Sequence, residues 1–189
     1  REHASLGEAL RMVVLSDHIR AGELPKRASD PFEPAKLGVI PIFETLRRKG
    51  ICSNHLAVLT GSLVIIHVSV KAVLAPVCAE LRLASGDIRT KPLAACPEHL
   101  ELNCPHSADA TRIVTALFQR GDIRILAGTQ SLLGQGWDAP RLNSLVLASN
   151  TASVVLCELD MLHRGPAPQS MGVKALWLKY GPTSGLESL

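Results

Sequence analysis

The strongest constraint in this chain is a pair of short apolar runs, Ile123–Ala127 and Leu145–Ala148, on either side of a polar, glycine-rich segment. Each run is too short for a free-standing helix and has the continuous apolar character of a strand buried on both faces. The segment between them holds Thr129, Gln130, Ser131, Gly134, Gln135, Gly136, Trp137, Asp138 and Pro140. Crossing between two buried strands does not require so many polar groups. In open parallel sheets, ligands bind outside the carboxyl ends of the strands. Chemistry is therefore expected in this stretch.

The flanking sequence alternates strands with helices. Leu10–Leu15 reads as the first buried strand, and Ser16, Asp17 and His18 stand at its carboxyl end, where a helix cap is the preferred role. Glu23–Pro34 is a proline-rich loop. Pro41 suits the first turn of a helix whose apolar face is Ile42, Phe43 and Leu46. Arg47, Arg48 and Lys49 read as its solvated basic end, and Gly50 as its stop. His55–Leu59 is a strand ending in Thr60-Gly61, and Leu63–Val68 a further strand. Val70–Leu83 is a helix with Val73, Val77 and Leu81 on one stripe, Ser85–Pro97 a loop, and His99–Asn103 another strand. Ser107 is the expected N-cap of a helix buried through Ile113, Val114, Leu117 and Phe118 and ended by Gly121. After Ala148, a polar turn over 149–153 is expected to cap a helix covering Val154–Leu162. Gly172–Lys179 is the expected final strand, and Gly181–Leu189 a weakly ordered tail. The alternation predicts an α/β fold with a mainly parallel sheet and helices on both faces.

Composition narrows the function classes. Hydrophobic residues at 47% suffice for a sizeable core and argue against disorder. A formal charge of +3 permits nucleic-acid binding without demanding it. Aromatics at 3% argue against a platform of stacked bases and favour backbone contact. The cysteines Cys52, Cys78, Cys96, Cys104 and Cys157 are scattered and odd in number, which predicts reduced thiols and a cytoplasmic protein. Cys96, His99, Cys104 and His106 match no standard zinc spacing, so no metal is expected. Leu63–Cys78 is the most apolar segment, but it falls short of the ~20 residues that span a bilayer and is interrupted by His67, Lys71 and Pro76. No membrane segment is expected.

The glycines Gly134 and Gly136 also fit the spacing of a dinucleotide fingerprint, which needs a strand leading straight in and a helix straight after. Several residues separate the strand from Gly134, and Pro140 opposes the helix. The combination Leu126-Ala-Gly-Thr129, Gly136-Trp-Asp138-Ala-Pro140 and an apolar strand instead resembles motif V of superfamily 2 helicases of the DEAD/DEAH type, in their second RecA-like domain. Ala110–Gly121 resembles the helix that precedes that motif. The likeness is close over about 40 residues and loose over most of the chain.

That resemblance implies a three-layer RecA-like fold over 1–189, with an inserted strand–helix–strand unit at 62–105. It also implies roles. Thr129 and Gln130, with Thr60 and Gly61, would hold the backbone of DNA or RNA. Gly136 and Asp138 would meet the nucleotide, and Arg164 would act on the γ-phosphate as catalytic cation. The chain has no G-x-x-x-x-G-K-[ST] and no acidic pair for Mg²⁺, so ATP and Mg²⁺ would be used only with an N-terminal RecA-like motor domain, in the same gene or on a separate chain. Arg1–Glu8 reads as the lead-in from a preceding segment of a longer protein. Motif VI is the point of departure: Arg164 and Gly165 match, but Pro166 and Gln169 stand where further arginines belong. Neither supplies a guanidinium. The expectation is a second motor domain of an ATP-dependent helicase, with a degenerate, non-catalytic nucleic-acid or protein binding module as the alternative. A third, weaker option is a stand-alone α/β enzyme binding a nucleotide through Gly134–Asp138.

Overall fold

Alternating burial along the strands decides how the chain layers. In the computed structural model, which describes residues 6–33, 36–133 and 137–148 and the backbone of 174–177, Val13 and Leu15 face one side of the sheet and Val14 the other. The same period of two continues in the neighbouring strand: Ala57 and Leu59 join Val13, while Leu56 and Val58 join Val14. Two apolar faces result, and each is covered by helix.

The strands are β1 (Met12–Ser16), β2 (Leu56–Leu59), β3 (Val64–His67), β4 (Arg89–Leu93), β5 (Cys96–Asn103), β6 (Ile125–Thr129), β7 (Ser144–Ala148) and β8 (Lys174–Trp177). Their order is β4-β5-β3-β2-β6-β1-β7-β8. From β2 to β8 the pairing is parallel, whereas β3, β5 and β4 are added antiparallel beside β2. The fold is α/β, as expected, but the sheet is mixed. The difference comes from the 62–105 stretch, where tight turns between β2 and β3 and between β4 and β5 reverse the chain, with a helix over 71–80 carrying it from β3 to β4. That stretch also contains one strand more than expected. Arg89–Leu93, inside the segment read as loop, pairs with β5 as the outermost strand.

Helix α1 (Val39–Arg48) covers the Val14 face through Val39, Ile40 and Phe43. Its first N–H groups are satisfied by the chain leaving β1: Val39 and Ile40 donate to the carbonyls of His18 and Ile19 at 2.8 and 3.1 Å. The N-cap Gly38 makes no side-chain cap bond, so these main-chain carbonyls, and not the expected Ser16 or Asp17 side chains, meet the first N–H groups of the helix. Pro41 lies in the first turn, as expected, and Gly50 follows the end at φ +66°. The basic end is not simply solvated. Arg47 and Arg48 turn back onto Glu44, whose side chain is 0% exposed.

Helices α2 (Lys71–Glu80) and α3 (Ser107–Arg120) cover the opposite face. In α2 the fully turned-in residues are Leu74, Val77 and Cys78, with Val73 and Leu81 half-buried beside them. In α3, Ile113, Val114, Leu117 and Phe118 are each 0% exposed, the face that their spacing predicts. Ser107 is the first helical residue and not the cap. His106 holds that position, in extended conformation and without a side-chain cap bond. Gly121 ends α3 at φ +97°, and its N–H reaches the carbonyls of Leu117 and Phe118. A β-carbon there would also run into the buried Arg11 guanidinium. The four-residue α4 (Gln130–Leu133) follows β6 directly. No helix among the described residues is long and apolar enough to cross a membrane. The expected helix at Val154–Leu162 and the tail at 181–189 lie outside the described residues.

Candidate functional site

Parallel pairing brings the carboxyl ends of β2, β6, β1 and β7 to one edge. Ser16 is level with Thr129 on one side and Ala148 on the other, and Leu59 is level with Gly128. Thr60 therefore follows at the same edge. Of the residues singled out from sequence, this edge gathers Thr60, Gly61, Thr129 and Gln130.

Their exposure differs. Thr129 is 6% exposed, and its Oγ1 accepts a long 3.5 Å hydrogen bond from the Ser131 hydroxyl. Gln130 is half-buried at the start of α4. Thr60 is 3% exposed, and its hydroxyl is engaged in the β2–β3 turn. It donates to the Leu63 carbonyl at 2.8 Å and accepts from the Leu63 N–H at 2.9 Å. Gly61 and Ser62 are the exposed part of that turn. Beside it lies a cleft of about 130 Å³, lined among others by Gly61, Ser62, Asn103, Cys104 and Ser107.

The elbow after β6 is anchored before it opens. Leu133, 0% exposed, folds back against Gly128. A β-carbon on Gly128 would collide with Leu133 and lie 2.8 Å from the Leu59 carbonyl, so only glycine fits between strand and helix. Trp137 then turns inward. Its indole N–H donates to Thr115 Oγ1 at 2.7 Å, and its ring lies 5.6 Å from that of Phe118. Arg141 donates to the Gln119 carbonyl at 3.0 Å. Both ends of the described loop are thus fastened to α3, and Asp138, next to the Trp137 anchor, is exposed. Sequence reasoning weighed Asp138 but not Trp137. The missed signal was an aromatic residue inside a polar loop, in a chain where aromatics are 3% of residues. Gly136 and Arg164, together with Pro166 and Gln169, lie outside the described residues.

A second cluster sits at the opposite end of the sheet. Of the four residues weighed for zinc, Cys96 and His99 come together, and their partner is Glu98; ligand atoms of these three lie within 4.8 Å of one another. Cys104 instead packs on the α2–α3 side, and His106 precedes α3. Burial pushes the Cys96 thiol up to about 11, against the pull of Arg47. Burial also pulls His99 down to about 4, helped by the neighbouring His67 and resisted by Glu98. The Cys52, Cys78 and Cys104 thiols are likewise raised by burial, and the four described cysteines are free.

No protein-family model matches the chain, and comparison with curated proteins and with solved structures finds no match.

Proposed function

We propose that this chain is the second motor domain of an ATP-dependent superfamily 2 helicase or translocase, with a RecA-like core formed by β2, β6, β1, β7 and β8. The observation that carries the proposal is the elbow after β6. It leaves the carboxyl edge beside Ser16 and Thr129, is pinned by Trp137, and presents Asp138 to solvent. A loop fastened at such an edge through Trp137 and Arg141 suits contact with phosphate and nucleotide. Thr129, Gln130 and the exposed Gly61 turn would hold the backbone of DNA or RNA. Gly136, Asp138 and Arg164 would close over ATP·Mg²⁺ bound by an N-terminal motor domain, and the chain alone would not hydrolyse ATP.

The test is anisotropy of fluorescein-labelled 20-nucleotide single strands, DNA and RNA, titrated with the chain at several salt concentrations. Binding that weakens steeply with salt and is reduced in Thr129→Val supports the proposal. Absence of binding at low salt to either strand refutes it. Pro166 and Gln169 favour a second proposal, a binding module of the same ancestry that has lost catalysis. Restoring both arginines beside a motor domain separates the two. A gain in ATPase supports a weakened motor, and no gain supports the module.

A further inference from the structure

The amino-terminal edge of the parallel strands carries chemistry that the helicase proposal does not use. Strand β3 runs antiparallel to β2, so His67 at its end lies at the opposite edge from Thr60. His67 is level with His99 on β5, and the two rings stand 5.1 Å apart. At this point β5 is irregular: the β4–β5 register shifts between Pro92 and Leu93. The irregularity lets neighbours that would otherwise face apart converge. His99 Nδ1 lies 3.9 Å from Glu98 Oε1, and the Cys96 sulfur completes a set within 4.8 Å.

The His99 ring is the decisive group. It is 0% exposed, packs edge-on against Phe43 at 5.1 Å, and neither of its ring nitrogens makes a hydrogen bond of good geometry, the Ser53 backbone lying only near enough to favour its charged form. Buried polar groups are nearly always partnered, and each exception calls for a cause. We propose that Cys96, Glu98 and His99 bind a divalent transition metal, zinc by the chemistry of the set, with the ion as the missing partner of His99. One thiolate, one imidazole and one carboxylate are the donors that zinc accepts, and their convergence fits a tetrahedral ion with one further position. The His67 ring, 5.1 Å from that of His99, lies next to the set. Its Nδ1 is engaged with Ser69, which leaves Nε2 to ligate or to orient a water. On binding, Glu98 exchanges its 3.3 Å contact with Arg47 for the ion, and Arg47 keeps Glu44. The thiol loses its proton to solvent as the Zn–S bond forms.

All three ligands lie on β5, and the site is bordered by Phe43 and Arg47 of α1 and by His67 of β3. The test is stoichiometric binding of Zn²⁺ to the reduced full chain, measured by competition with a chromophoric chelator. Co²⁺ substitution then reports the ligands. One equivalent is expected, with a thiolate-to-cobalt charge-transfer band. Cys96→Ser should abolish that band. Glu98→Gln, at an exposed position that leaves folding intact, should weaken Zn²⁺ binding by roughly tenfold or more. Cys104→Ser should change neither. Substoichiometric binding in the wild type, or an unchanged band and affinity in Cys96→Ser and Glu98→Gln, overturns the proposal.

Discussion

Replacing Glu44 with alanine tests how far helix α1 depends on one buried carboxylate. Glu44 is 0% exposed and accepts from Arg47 Nε at 2.9 Å, Arg47 Nη2 at 2.6 Å and Arg48 Nε at 2.5 Å. Removing one member of a buried ion pair costs about 3–5 kcal/mol, because the survivor keeps a buried charge. Here the survivors reach solvent, with side chains 14% and 32% exposed. They recover part of their hydration, and exposed pairs contribute only about 0–1 kcal/mol. Glu44→Ala should therefore lose an intermediate amount, about 2–3 kcal/mol. For a chain of this size that is roughly 4–12 °C in Tm.

The same group predicts an acid limb. Burial raises the Glu44 pKa, but the hydrogen bonds and charges of Arg47 and Arg48 outweigh it and hold the carboxyl below its ordinary value of 4.5. A carboxylate depressed on folding contributes stability that is fully present above its unfolded value. That stability is lost as pH falls through the folded value. Urea denaturation from pH 7 down to pH 3, followed by circular dichroism, reads both effects. Glu44→Gln should flatten the slope below about pH 4.5. A loss under about 0.5 kcal/mol in Glu44→Ala at pH 7, or an acid limb unchanged in Glu44→Gln, would refute the assignment.

Two further substitutions probe the elbow. Trp137→Phe keeps the ring against Phe118 and removes the donor to Thr115, so a loss of about 1 kcal/mol in urea denaturation is expected. Trp137→Ala should lose more and also weaken oligonucleotide binding, since the loop that follows Thr129 and Gln130 then loses its anchor on α3; unaltered binding would show that the anchor does not matter for that surface. Gly128→Ala forces a methyl between Leu133 and the Leu59 carbonyl, at a cost of about 1–3 kcal/mol, and full stability in that variant would contradict the packing.

What the sequence made legible follows the strength of the apolar pattern. Helix α3 was readable because four core residues recur at helical spacing and Gly121 supplies the left-handed stop. The strands β1, β2, β6 and β7 were readable because both of their faces are buried. Strand β4 was not: Arg-Thr-Lys-Pro-Leu is an outermost strand, where lysine and proline protect an open edge and no apolar alternation is needed. Glu44 was equally hidden. A carboxylate one turn before a basic helix end looks like a solvated pair, and only the packing of α1 against the sheet turns it inward. In the elbow, the spacing of Thr129 and Asp138 drew attention to the exposed acid, while the tryptophan that holds the loop escaped it.

The distribution of chemistry follows from the mixed sheet. Parallel strands align their carboxyl ends, so hydroxyls and loops gather at one edge. An antiparallel hairpin does the reverse: its turn joins that edge through Thr60 and Gly61, and its far end delivers His67 to the other. Strands of this length span ~13 Å at ~3.3 Å per residue, which is beyond direct contact between the two ends. The added strands therefore extend the edge where nucleotide chemistry is proposed, through the Gly61 turn. They also bring Cys96, Glu98 and His99 together at the opposite edge. A chain with a wholly parallel sheet would have no residue in the place of His67, and His99 would lose one of the two rings, His67 and Phe43, that pack edge-on against its own.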